Sequence, residues 1–139
     1  MQPKLSIIVY RGDPVGLRTT RHTAPFITAG KGATGIVLHV TGAAGFFGFE
    51  QRQEDDPRGS RHFTKQIPVE PLRDVTKQQL MSTTAGTPID NRTQSWNCQH
   101  WVAEGLTRIA NQRWIGMRTK SGAIGEMVDV IMEAEDEVD

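Results

Sequence analysis

The stretch "SWNCQHWVAEGLTRI", Ser95 to Ile109, decides how the fold is read. Cys98, Trp101, Val102, Leu106 and Ile109 recur at helical spacing and share one apolar face, so a helix is expected to begin near Cys98. Ser95 or Asn97 is the natural cap. The only cysteine of the chain then sits in a first helical turn, where N–H groups without intrahelical partners and the positive dipole end favour a thiolate. The effect is small: a helix end supplies ~0.3–1 kcal/mol, whereas one pKa unit is ~1.4 kcal/mol. A cysteine nucleophile at neutral pH therefore also needs an imidazole within hydrogen-bond reach.

His100, two residues beyond the cysteine, is the obvious partner and the wrong one. Two positions apart on a helix, their side chains diverge by about 200°. Residues that face each other on a helix are three or four apart. His100 is expected at the surface or half-buried, which leaves His22, His39 and His62 in the upstream half.

That half reads as antiparallel β-structure. Strands are expected over Lys4–Tyr10, His22–Thr28, Gly35–Thr41, Phe46–Arg52 and His62–Val69, with Pro25 suggesting an edge position for the second. A loop is expected over 11–21, a Gly-rich turn over "AGKGATG", and a charged loop containing Glu54, Asp55 and Asp56 that reads as solvated surface. "AGKGATG" lacks the phosphate-loop pattern and precedes a strand, so no nucleotide site is read there. Downstream the period changes. Thr76 and Gln79 form a capping-box pair for a short helix that "GTP" ends at 86–88. A third helix is expected from Ala123 to Glu133, with Ile124, Met127, Val128 and Ile131 inward and an acidic tail, 133–139, at the wrong pole of its dipole. The fold class is α+β, a small antiparallel sheet with helices packed against it, in one domain over 1–139.

Composition narrows the function. Sixteen basic residues balance sixteen acidic ones, so no net field holds nucleic acid. One cysteine rules out an internal disulfide and every multi-cysteine zinc site, and no metal or cofactor is expected. An unpaired thiol suits a reducing compartment, no segment approaches the ~18 apolar residues of a membrane span, and the N-terminus does not read as a signal peptide. The expectation is a cytoplasmic protein without integral membrane association, of undetermined oligomeric state.

Of the remaining histidines, His22 opens a strand after a loop, a position that often faces a cleft. His39 lies inside "IVLHV" with Val37 and Thr41 on its own face; on the residues alone it reads first as a hydrogen-bonded core or edge histidine rather than a site residue. His62 follows the charged loop and is expected to be exposed.

"NCQHWV" resembles the Asn-Cys-Glu-His-Phe-Val signature of the lecithin:retinol acyltransferase-like proteins, circularly permuted relatives of the papain-like fold in which the histidine strand precedes the cysteine helix. "HTAPFITAGKGATGIVLHV" is similar to their segment with a first histidine opening a strand and a second midway along the next. The resemblance spans roughly His22 to Ile109. It implies a permuted papain-like fold with Cys98 as nucleophile at a helix N-terminus, His22 as general base and His39 as the residue that orients His22. It also implies attack on an ester, amide or thioester carbonyl of a small-molecule or peptide substrate, an acyl-enzyme, and the N–H of Cys98 as an oxyanion donor. The chain departs from the family pattern at Thr23, where tryptophan is usual, and at Phe26, where tyrosine is usual. It also has a longer turn between the histidines and no C-terminal anchor. The expected function is thus a cysteine-dependent hydrolase or acyltransferase; the alternative is a catalytically silent binding or accessory protein that keeps the fold. Related permuted cysteine peptidases share the His-then-Cys order. "GAAGFFGFE", Gly42 to Glu50, reads as a turn and core strand or as an apolar wall for substrate. Trp101 reads as core, Trp96 as a residue able to line the cleft, and Trp114 as packing at the end of the second helix.

Overall fold

The computed structural model describes residues 3–10, 22–29, 34–42, 45–54, 56–60, 62–93 and 95–133. The loop expected over 11–21, part of the Gly-rich turn (30–33), Asp55 of the charged loop and tail residues 134–139 lie outside the described residues. Among the described residues, β1 (Lys4–Tyr10), β2 (His22–Thr28), β3 (Gly35–Thr41), β4 (Gly48–Glu54) and β5 (Phe63–Pro68) form one antiparallel sheet in the order β4-β3-β2-β1-β5. Three helices follow, α1 (Lys77–Ala85), α2 (Cys98–Asn111) and α3 (Met117–Glu133). The class is α+β, as the change of period indicates.

The helices cover one face of the sheet: α1 and α2 lie over β2 and β3, and α3 lies over β1 and β5. Strand alternation sorts the side chains accordingly. Leu5, Ile7, Val9, Ile27, Leu38 and Val40 join Trp101, Leu106 and Ile109 in the main core. Ile8, Tyr10, Ala24, Phe26 and Val37 form a smaller cluster on the opposite face. Burial on both faces explains why β1, β2 and β3 read as continuous apolar runs.

Two expectations change. Pro25 suggested an edge strand, yet β2 is central, between β1 and β3. β2 pairs with β1 along its whole length, from Lys4↔Thr28 to Tyr10↔His22, but with β3 only at Phe26↔Val37 and Ile27↔Ile36. Pro25, which has no N–H to donate, therefore meets no ladder partner on β3, and the two strands are unpaired from there to His22. Helix α3 begins at Met117, ahead of the expected Ala123, and buries Ala123, Met127, Val130 and Ile131. That i, i+4, i+7, i+8 stripe turns Val128 outward by about 100° from Met127, and Val128 is exposed.

The β3–β4 hairpin turns at Gly42, whose φ of 120° and close approach to the Phe46 carbonyl leave no room for a Cβ. It sets the register that places Glu50 opposite His39 and Arg52 opposite Val37.

The start of α2 is built by its neighbours in sequence. Asn97 is the cap: its side chain accepts from the Gln99 N–H at 3.0 Å, and its own N–H donates to His100 Nδ1 at 3.2 Å. His100 thus completes a capping box in the place where glutamate or glutamine is usual. Trp101, 1% exposed, anchors the first turn in the core and donates its Nε1–H to the Thr87 carbonyl at 3.1 Å. Urea denaturation should show Asn97→Ala costing about 1 kcal/mol. His100→Gln, which retains a capping acceptor, should be closer to wild type than His100→Leu.

Candidate active site

His22 and His39 are brought together by the strands that carry them. His22 opens β2 and shares the face of Ala24 and Phe26; His39 lies midway along β3 on the face of Val37. Extending the Phe26↔Val37 register would set His39 opposite Ala24 and diagonal to His22. Alanine leaves that diagonal open. His22 Nε2 and His39 Nδ1 share a hydrogen bond of 2.9 Å, with the rings edge-on at 5.1 Å between centroids. Tyr10, directly opposite His22 on β1, stacks on it at 6.2 Å.

The pair is held neutral. Burial above all, and then the His39 ring and the Arg52 guanidinium, lower the His22 pKa to about 4. Burial also lowers that of His39, Arg52 adds to the effect, and Glu50 opposes it. Arg52 lies over the Tyr10 ring at 5.8 Å. His39 is 4% exposed, and its Nε2 is buried with no hydrogen-bond partner among the described residues; the Glu50 carboxylate approaches it at 3.6 Å.

Cys98 opens α2 on the helix-covered side, 7% exposed and part of the main core. The Thr23 hydroxyl donates to its Sγ at 3.8 Å. Burial raises the thiol pKa; the main-chain and hydroxyl donors of Thr23 and the N–H groups of Cys98 and Gln99 oppose the rise without overcoming it. The helix start was expected to favour a thiolate. Desolvation outweighs it here, as the small size of the dipole effect allows.

The structure thus joins two of the three expected site residues and sets the third against their neighbour. Among the described residues no hydrogen bond links Cys98 Sγ to His22: the Nε2 of His22 is engaged by His39. The reason is the two-residue period of a strand, which turns Thr23 toward α2 and His22 the other way. The thiol and the imidazole pair meet β2 at adjacent residues, from opposite faces, where β2 and β3 carry no ladder.

Two contributors escaped the sequence reading. Thr23 stood out only as a departure from a family pattern, yet its hydroxyl donates to the sulfur. Glu50 fell within an expected strand, but its place beside His39 depends on a hairpin register set by the Gly42 turn. Trp96 is half-buried with its ring edge-on to Phe47 at 5.6 Å, and Asn91 clasps Phe47 by accepting from its N–H at 2.8 Å and donating to its carbonyl at 3.1 Å. Phe46 beside it is 83% exposed, so this segment supplies both packing and an open apolar side chain near the start of α2. His62 is exposed and takes no part. Among the described residues no group of His, Cys, Asp and Glu is arranged to hold a metal ion, and no helix is long and apolar enough to cross a membrane.

The sign of the histidine shifts sets a pH dependence. His22 titrates at about 4 when folded against an ordinary 6.5, so between those values the unfolded chain takes up a proton that the folded chain refuses. Stability should fall as the pH drops from 6.5 toward 4, with no contribution from this group above that window. Urea midpoints at pH 7 and pH 5 should converge in His22→Gln relative to wild type.

No curated protein and no solved structure matches the chain. The model of one family, described as a family of unknown function (DUF6540), matches residues 7–116, which include His22, His39, Glu50 and Cys98. The chain is a member of that family, DUF6540.

Proposed function

We propose that this protein is a cysteine-dependent acyl-transfer enzyme, a hydrolase or acyltransferase, with Cys98 as nucleophile, His22 as base and His39 as the residue that orients His22. The observation that carries the reading is the 2.9 Å His22–His39 bond at the end of β2 where the next residue, Thr23, contacts the thiol. On this reading the hydrogen-bonded histidines supply base and orienter, and the thiol that would be the nucleophile meets the next residue of β2 from the start of α2. The permuted papain-like fold belongs to the same proposal. It is supported by histidine strands that precede a capped cysteine helix in one α+β domain.

The resting state on this reading is a neutral thiol beside a neutral imidazole. A thiol raised above its ordinary 9.0 keeps its proton against an imidazole at about 4, so no thiolate–imidazolium pair preforms. The proton passes from sulfur to His22 only as the Cys98 sulfur forms its bond to the acyl carbon, a step that requires the start of β2 to carry the His22 imidazole from the face it shares with His39 to the face of the thiol. The tetrahedral adduct then expels the leaving group, which takes that proton, and a thioester remains on Cys98. Water or an acceptor hydroxyl or amine, deprotonated by His22, attacks the thioester and restores the thiol. An apolar acyl group fits the exposed Phe46 and the Phe47–Trp96 pair near the start of α2. The lone thiol suits a reducing, cytoplasmic setting.

The burial of Cys98 favours a second reading, a catalytically silent binding or accessory domain. In it the His22–His39 bond is a side-chain tie across the stretch where β2 and β3 lack a ladder, and the thiol is only core. Intact-protein mass spectrometry after incubation with mixed activated acyl esters separates the two. The enzyme gains an acyl mass that is lost in Cys98→Ser and strongly reduced in His22→Ala; a wild-type protein that gains no mass on Cys98 is the silent domain. Without substrate, iodoacetamide should label Cys98 slowly at pH 7, and rapidly only in denaturant or above the ordinary thiol range.

A further inference from the structure

The 2.9 Å bond between His22 Nε2 and His39 Nδ1 admits two tautomeric arrangements, and only one of them suits the surroundings. If His39 Nδ1–H donates, its Nε2 carries a lone pair that faces the Glu50 carboxylate, and His22 bears its proton on Nδ1, the atom left for the thiol. If His22 Nε2–H donates, the proton of His39 lies on Nε2 and points at Glu50 Oε1, 3.6 Å away. His22 Nδ1 is then a lone pair. Two observations select the second arrangement. Among the described residues His39 Nε2 is buried without a hydrogen-bond partner, and the acceptor that faces it is the Glu50 carboxylate. Glu50 is held to that side by the His39↔Glu50 register, while its 57% exposed side chain has the freedom to close 3.6 Å to hydrogen-bond length.

The geometry points to Glu50 as a positioning residue that sets the tautomers of both histidines and leaves His22 Nδ1 as the basic atom. The relay runs from the Glu50 carboxylate to His39 Nε2–H, then from His39 Nδ1 to His22 Nε2–H, and ends at the bare His22 Nδ1. No proton moves along it: Glu50 acts only through His39. Among the described residues the other charged and titratable groups on this face are Tyr10, Arg52 and Glu54, which pairs with Arg52 at 3.9 Å, and the guanidinium disfavours a second proton on either ring. The role of His22 Nδ1 as a base rests on the acyl-transfer reading; the tautomer assignment does not.

Two-bond proton–nitrogen correlation spectra of the histidine rings at pH 7 test it on the whole protein. Wild type should show both His22 and His39 protonated on Nε2. Glu50→Leu removes the acceptor and should populate the Nδ1–H forms, while Glu50→Gln, which keeps an acceptor oxygen, should restore the wild-type pattern. Glu50 is exposed, so an unchanged amide spectrum elsewhere certifies the fold of each variant. If wild type shows Nδ1–H on His22, or if Glu50→Leu leaves both tautomers as they were, the assignment is overturned. Where an acyl adduct forms on Cys98, its rate should fall at least about tenfold in Glu50→Leu and recover in Glu50→Gln. A protein with the expected tautomers and no adduct defeats the acyl-transfer reading and leaves the role of Glu50 standing.

Discussion

Pro25 removes a main-chain donor from the middle of β2, and the ladder between β2 and β3 closes only at Phe26↔Val37 and Ile27↔Ile36. From that point to His22 the two central strands share no ladder bonds, although β2 remains fully paired to β1. The distinctive chemistry of the molecule gathers at this gap. His22 and His39 bridge it on the open face with a side-chain hydrogen bond, and the first turn of α2 brings Cys98 to it on the helix-covered face through Thr23. A continuous ladder would have tied up the main chain of β2 where the thiol now finds its donors.

Desolvation governs the charge state on both sides of the gap. It lowers the two histidines and raises the thiol, and in each case it is the largest cause of the shift. The capped start of α2 and the donors of Thr23 pull the thiol back, but a helix end offers too little to offset burial. The site at rest therefore holds a neutral thiol and neutral imidazoles rather than a thiolate–imidazolium pair. Among the described residues the charges beside it are Glu50, Arg52 and Glu54 on β4; Glu50 and Arg52 are close enough to polarise the histidines and exposed enough to be screened by water.

Much of this was legible from residues alone. "KLSIIVY", "HTAPFIT" and "GIVLHVT" are short, apolar and β-branched because both of their faces are buried, and each becomes a strand with the expected bounds. The Thr76–Gln79 capping box forms, and Trp101, Leu106 and Ile109 face the core as their spacing indicates. Helix geometry also removed His100 from the cysteine correctly, although its actual work, accepting the Asn97 N–H, is a local cap that a search for catalytic partners passes over. What misled was the use of a local rule where a pairing decides: Pro25 marks an edge only if both neighbours are fully laddered. The start of α3 was hidden because "RTKSGAIG" carries no apolar stripe until Ala123.

The sequence by itself determined the α+β class, the strands that carry His22 and His39, and the helix that begins at Cys98, because those follow from hydrophobic period and capping within a few residues. Only the tertiary structure decided which of these groups touch. The His22–His39 bond, the Thr23–Cys98 contact and the approach of Glu50 to His39 depend on strand register, on which face of the sheet the helices cover, and on where the β2–β3 ladder stops. A shift of one residue in any of these would exchange the two faces of a strand and turn every such contact away.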